Sequence, residues 1–497
     1  MNNSYIKLKK LFKEHSLLSD INSILNWDMA TFMPVKSRFQ RKNQIKVINE
    51  YKKNLFEQIK KSNLLKKVEY EKLNAEDKNN FDLMKKKIDY FNCIPFEIIQ
   101  KKSLLSIECE GAWRDALRKS NFNIVKKKLS DLVNIIKHES DILSQYKSIS
   151  KYDCLLEKYD RSLNTKRLIK IFKDIEGFIL KTLPNIKKNQ NLQSLKIKKN
   201  KLNEKEQFDL SKILMKRLGF DFSKGRIDKS LHPFCGGGTD DVRITTRFNE
   251  SDSFSCFDAL MHETGHALYE QGLPKKWVHQ PLGSSAGMSL HESQSLFIEM
   301  QIIKSLSASK YIQKVLSKIL KNENLFMDYV DIFNLRTVVK QNFIRVDADE
   351  VHYPLHIIHR FNIEMQIIEN KVNINDLPDL WNQEFRKLFG IDVKNDSDGC
   401  LQDIHWYGGD FGYYPTYSIG AIIAAQLKYK IKNKIKNFDK LIENGEFRPI
   451  ILWLKDNIHS MGNFYTIDEL LKLKTGENLT TKYFKKHITE RYTNRIN

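Results

Sequence analysis

The chain has 497 residues, and its 83 Lys+Arg against 61 Asp+Glu give a formal net charge of +22. Charged residues at 29% and apolar residues at 41% exclude a disordered chain, and only 10 Pro and 20 Gly favour a mostly helical one. The basic excess raises a nucleic-acid partner, but the densest basic runs, Lys85–Lys87 and Lys126–Lys128, are too short for such a footprint.

Met1 to Leu18 carries Lys7, Lys9, Lys10 and Lys13 in a helical pattern and has no uninterrupted apolar core, so no signal peptide is expected. Leu8, Leu11, Phe12, Leu17, Leu18, Ile21, Ile24 and Leu25 recur at helical spacing. Trp27-Asp28 to Pro34 breaks the pattern, and Pro34 opens the next helix. Segments 38–90, 96–119, 121–148 and 165–180 repeat the helical period. Beyond residue 200, 205–218 reads as helix, and His232-Pro233-Phe234 with Gly236–Gly238 reads as a loop that His232 orients. Val242, Ile244, Thr246 and Phe248 alternate as in a strand. Ser251-Asp252-Ser253 offers caps to a helix over 254–271 that stops at Gly272, and a further helix starts near Ser289. Helices are expected near 322–360, with a kink at Pro354, then a loop-rich stretch at 390–417 and a helical C-terminal portion.

Ile419 to Leu427, an apolar run near the C-terminus, is about half a membrane span. Cys93, Cys109, Cys154, Cys235, Cys256 and Cys400 form no C-x-x-C pair, as expected of free thiols in a reducing cytosol. A soluble, cytoplasmic, mainly α protein with a small β-sheet is expected. No linker divides it. It reads as one unit, 1–497, with an N-terminal helical lobe to about 200 and a catalytic lobe from about 201.

His262-Glu263-Thr264-Gly265-His266 is an H-E-x-x-H motif on the 254–271 helix. Two histidines four apart project from one helical face, so both imidazoles can reach one zinc ion while Glu263 addresses a water beside it. The helix is otherwise apolar, with Phe254, Phe257, Met261 and Leu268, and burying two His and a Glu there is costly unless something binds them. Glu292, 26 residues past His266, is the leading third ligand and His291 its rival. Glu299 reads either as an outer partner of a ligand histidine or as a solvated helix acid. Zinc acidifies water and polarises a carbonyl, Glu263 moves the proton, and Tyr413, Tyr417 and His405 are candidate donors to the oxyanion.

Six short motifs occur in order: His232-Pro233-Phe234; Asp241-x-Arg243-x-Thr245; His262-Glu263-x-x-His266; His291-Glu292-Ser293-Gln294; Ile344-Arg345-x-x-Ala348-Asp349; and Gly399-x-x-Gln402-Asp403-x-His405-Trp406. On these residues the chain resembles the carboxypeptidase Taq family of zinc metallocarboxypeptidases over nearly its full length. The resemblance implies a mainly helical fold with a deep groove, a homodimer, and release of C-terminal amino acids one at a time with broad specificity. It also implies Glu292 as third ligand, Glu263 as catalytic acid/base, and cobalt as a substitute for zinc. Leu296 departs from the family's usual arginine, which bears on one rim contact rather than on the metal.

A carboxypeptidase must hold a free terminal carboxylate, which arginine does through two parallel hydrogen bonds. Arg345 is the first candidate. Arg243, with Asp241, closes the end of the groove, and the strand from Val242 to Phe248 offers its edge to the substrate backbone. For both arginines the alternative is a buried structural ion pair. His352, His356 and His359 read as packing or substrate contacts rather than a second metal site. His405-Trp406 lines the groove. Two other functions stay open from the residues: a helical zinc oligopeptidase cutting internal bonds, and a basic nucleic-acid-binding protein.

Overall fold

The computed structural model describes residues 3–190, 202–230, 233–248, 253–320 and 327–493. His232, Ser251 and Asp252 lie outside them. Helices Asn3–Thr31 and Arg38–Lys61 pack together, joined through a 3-10 turn, Val35–Ser37, that Pro34 precedes. The helix expected over 38–90 is two. Residues 62–74 interrupt it, and Asn74 caps the second, Ala75–Cys93, by accepting from the Asp77 N–H. Leu8, Leu11 and Phe12 meet Phe56, Ile59, Met84 and Ile88 in a small core. Phe96–Lys119, Lys126–Lys147 and Thr165–Asn189 follow, and the largest core takes residues from Cys109 to Tyr492.

A three-stranded sheet precedes the motif helix: β1 (Gly225–Lys229), β2 (Phe234–Gly238) and β3 (Asp241–Thr246), in the order β1-β3-β2. Two expectations change here. The glycine run is not a loop: β2 pairs antiparallel with β3, Cys235 opposite Ile244 and Gly236 opposite Arg243. Glycine weakens a strand, but backbone pairing to β3 holds this one. The strand expected to offer its edge to substrate is instead central, with β1 parallel on one side and β2 on the other. Val242 and Ile244 are fully buried.

The motif helix, Ser253–Gly272, lies between this sheet and Met288–Leu296, which runs into a π-helix, Phe297–Ile303. Between 327 and 368 the chain forms Tyr329–Arg336, a 3-10 turn at Arg345–Asp347, and Tyr353–Ile368. Pro354 does not kink a helix. It sits in the first turn of Tyr353–Ile368, where its missing N–H has no intrahelical partner to lose. The run from Ile419 to Leu427 lies in Pro415–Lys434, a helix through the core with Ile419, Ile422, Ile423, Ala424, Ala425 and Leu427 buried. Among the described residues no helix is long and apolar enough to cross a membrane. All six cysteines are free.

Candidate metal centre

Helical spacing puts His262 and His266 on one face of the motif helix, with ring centroids 4.9 Å apart. Met288–Leu296 brings Glu292 to them: its Oε2 lies 3.7 Å from His262 Nε2 and 3.4 Å from His266 Nε2. One ligand atom from each of the three falls within 4.8 Å of the others, the only such cluster among the described residues. Two glycines permit this approach. A Cβ on Gly265 would lie 2.5 Å from the Gln294 carbonyl oxygen, and one on Gly420, from the core helix, 2.7 Å from Glu292 Cγ.

His291, the rival ligand, faces away from the cluster. Its Nδ1 lies 2.7 Å from His266 Nδ1, on the far side of that ring, and its Nε2 lies 2.8 Å from Glu270. The Glu270 carboxylate only accepts, so Nε2 of His291 carries the hydrogen. Nδ1 of the neutral ring then accepts from His266, whose Nε2 lone pair is left toward Glu292. The His291 carbonyl, 3.1 Å from His266 Nδ1, asks for the same tautomer. Glu299 is not a solvated acid: it is buried, and its Oε2 lies 2.9 Å from His262 Nδ1. Both histidines thus have the outer hydrogen bond typical of metal ligands.

The electrostatics ask for positive charge. Burial alone lowers His262, but Glu292, Glu299 and Glu263 outweigh it and raise its pKa to about 10. Burial is the main cause that pushes His266 down to about 4. Burial pushes Glu263 up to about 7, with His262 opposing and Glu292 adding. A proton on His262 answers part of this negative charge, and a dication meeting all three ligand atoms answers more of it. Two imidazoles and one carboxylate suit a divalent metal that keeps an open position.

Around the centre stand aromatic and basic side chains. Tyr417 stands between Tyr413 and Tyr353, with ring centroids 5.3 and 6.1 Å away, and burial pushes all three phenol groups up. His405 Nε2 lies 2.9 Å from the Tyr417 hydroxyl. Burial, with Arg345 beside it, pushes His405 down to about 3, so it is neutral. Arg345 is buried: its Nε donates to Asp403 at 3.0 Å and its Nη1 to the Tyr353 hydroxyl at 2.8 Å. Asp403 also takes Arg360 Nε at 2.6 Å, so two guanidinium groups share one carboxylate. Arg243 pairs twice with Asp241, at 3.0 and 2.8 Å, and stacks on Trp27 at 4.5 Å, with Arg226 against the same indole at 5.2 Å.

The family model described as carboxypeptidase Taq (M32) metallopeptidase matches residues 7–492. The chain belongs to this family. It is 32% identical to carboxypeptidase 1 of Bacillus subtilis over 494 residues, 97% of each chain. It is 31% identical to thermostable carboxypeptidase 1 of Pyrococcus furiosus over 482 residues, 95% of this chain and 94% of that one. Among solved structures it is similar to Trypanosoma cruzi metallocarboxypeptidase 1, with a TM-score of 0.93 and 29% identity, covering 99% of this chain and 100% of that one. The protein is a metal-dependent carboxypeptidase. That decides against the internal-bond oligopeptidase left open above.

In this M32 carboxypeptidase, sequence reasoning missed the roles of four site residues. Glu270 stands one turn past His266, a spacing that would have found it. Tyr353 stands beside the Arg345 guanidinium, and Trp27 carries two arginines. Lys304 bonds Glu299 at 2.9 Å. Trp27-Asp28 stood out as a break in the helical pattern but gave no sign of the arginines it carries, and Tyr353 and Lys304 have no local signal, because one acts across elements and the other through the π-helix. His356 and His359 pack against Phe385, and His352 bonds Asp349 at 2.6 Å, so these three serve the core.

Proposed function

We propose that the metal is zinc, one per chain, held by His262, His266 and Glu292, with cobalt able to replace it. The substrates are peptides with a free C-terminus, shortened one residue at a time with broad specificity. The observation that carries this is the convergence of those three ligand atoms beside a buried Glu263. When bound, zinc supplies Lewis acidity toward the scissile carbonyl and a water. Glu263 accepts that water's proton and later gives it to the leaving amine. Its pKa, raised to about 7, suits both duties near neutral pH, and a neighbouring dication pulls it lower.

Arg345 holds the substrate's terminal carboxylate. Asp403 meets its Nε and Nη2 and Tyr353 its Nη1, and of the five N–H groups one on each terminal nitrogen remains for a two-pronged bond. Tyr413 donates to the oxyanion: its hydroxyl has no hydrogen-bond partner among the described residues, whereas Tyr417 is engaged by His405. Arg243, clamped by Asp241 and Trp27, closes the end of the groove. The protein works as a cytoplasmic homodimer of chains in two lobes, divided at about residue 200. Its free thiols fit a reducing compartment. Nucleic acid has no part in this reading.

The test is a peptide and its C-terminally amidated twin, digested with metal-loaded enzyme and followed by mass. Single-residue losses from the free peptide alone are expected, together with one zinc per chain. Equal cleavage of both peptides overturns the role of Arg345, and absence of metal at His262 overturns the centre.

A further inference from the structure

We propose that Lys304 is a positioning residue for the metal: it fixes the Glu299 carboxylate in the orientation that holds the His262 ring. The inference rests on His262 being a ligand.

Glu299 and Lys304 are five residues apart. In an α-helix that separation puts two side chains about 140° apart around the axis, out of each other's reach. The π-helix Phe297–Ile303 changes this. Its hydrogen bonds span five residues, and the Lys304 N–H donates to the Glu299 carbonyl at 2.8 Å. Lys304 therefore stands over Glu299, and its Nζ donates to Glu299 Oε1 at 2.9 Å. The other oxygen, Oε2, is the one 2.9 Å from His262 Nδ1. His262 and Lys304 are the two side-chain partners of this carboxylate among the described residues.

Lys304 is itself held. Asp258, one turn before His262 on the motif helix, has Oδ2 3.6 Å from Lys304 Nζ. Arg336 Nε donates to Asp258 at 3.0 Å, and Arg336 Nη1 donates to the Ile303 carbonyl, at the end of the π-helix, at 2.8 Å. The network thus begins and ends on the π-helix and passes through Asp258 of the motif helix, with Glu299, Lys304, Asp258 and Arg336 each at most 15% exposed. A buried carboxylate bonded only to an imidazole is free to turn; one tied at its second oxygen is not.

Charge and position predict opposite results, which makes the proposal testable. Lys304 is a cation near a bound dication, so by charge alone its removal strengthens metal binding. By position its removal weakens metal binding. The measurement is the Zn2+ dissociation constant by chelator competition, on the full-length chain with unchanged circular dichroism. Lys304→Met is expected to weaken Zn2+ binding by about 10-fold, and Lys304→Arg, which keeps charge and reach, to restore most of it. In a Glu299→Gln background Lys304→Met is expected to add nothing, because it acts through Glu299. Should Lys304→Met not fold, Lys304→Gln takes its place with the same outcomes.

Binding in Lys304→Met as tight as or tighter than in the parent overturns the proposal. So does a loss that multiplies with that of Glu299→Gln. A His262→Ala chain that still binds Zn2+ at parental affinity overturns the ligand assignment itself, a different result from a neutral Lys304→Met with His262 essential.

Discussion

Gly420→Ala perturbs the centre without touching a polar group. The added Cβ would meet Glu292 Cγ at 2.7 Å, Glu292 Cβ at 2.8 Å and the Glu292 carbonyl carbon at 3.2 Å. Carbon atoms in good contact sit about 3.5–4.0 Å apart, so the shortfall is about 1 Å. The core helix cannot easily retreat, because Ile419, Ile422 and Ala425 are buried on its other sides. Overpacking of this kind costs about 1–3 kcal/mol. Spread over the unfolding entropy of a chain this long, about 2 cal/mol/K per residue, that lowers Tm by only about 1–3 °C. The larger effect falls on Glu292, whose carboxylate is pushed off the two imidazoles, and Zn2+ affinity should drop by about 10-fold or more. Gly177→Ala is the control: nothing lies within 4 Å of its Cβ, and alanine in a helix interior is neutral or gains up to about 1 kcal/mol. Chelator competition and thermal melts on both variants decide it. A Gly420→Ala chain with lowered Tm but Zn2+ affinity within about twofold of the parent would refute the reasoning.

Glu263→Gln keeps the fold and the metal but should lose about 10²–10⁴-fold in kcat, because only the proton acceptor is removed; metal analysis beside steady-state kinetics checks it. Arg345→Lys leaves a point charge in place of a fork, so kcat/KM toward free peptides should fall about 10–100-fold, mostly through KM, while the amidated twin stays uncleaved. Burial raises the Glu139 carboxyl, but Lys158 and Lys102, at 2.8 and 2.7 Å, outweigh it and hold it at about 2. A carboxyl depressed below its unfolded value of about 4.3 contributes stability that is complete above that value and lost as pH falls toward 2, so Glu139→Gln should flatten the acid limb of Tm against pH. Lys158 is pushed down to about 8 by burial, so the net worth of the pair is smaller than the carboxyl shift alone implies.

The parts of this protein that were legible in its sequence are those set by local spacing. Four residues between His262 and His266 fix a shared helical face, and Gly272 with Pro274 marks where that helix stops. The helical reading of 205–218 matches the helix Glu204–Leu218 to within a residue. What stayed hidden depends on partners distant in the chain. β2 is a strand because β3 pairs with it, although three glycines argue for a loop. Pro354 read as a kink because the helix start one residue earlier carries no signal strong enough to mark it. His291 and Glu292 are adjacent and equally suited to zinc by type, and only the direction of the helix separates ligand from supporting group. Lys304 was invisible because an α-helical period puts it on the wrong face.

Anomalous diffraction from zinc-loaded crystals tests the central claim most directly. One peak per chain is expected, about 2.0–2.2 Å from His262 Nε2, His266 Nε2 and a Glu292 carboxylate oxygen. A peak bound instead by His291, or lying away from Glu292, would contradict the account.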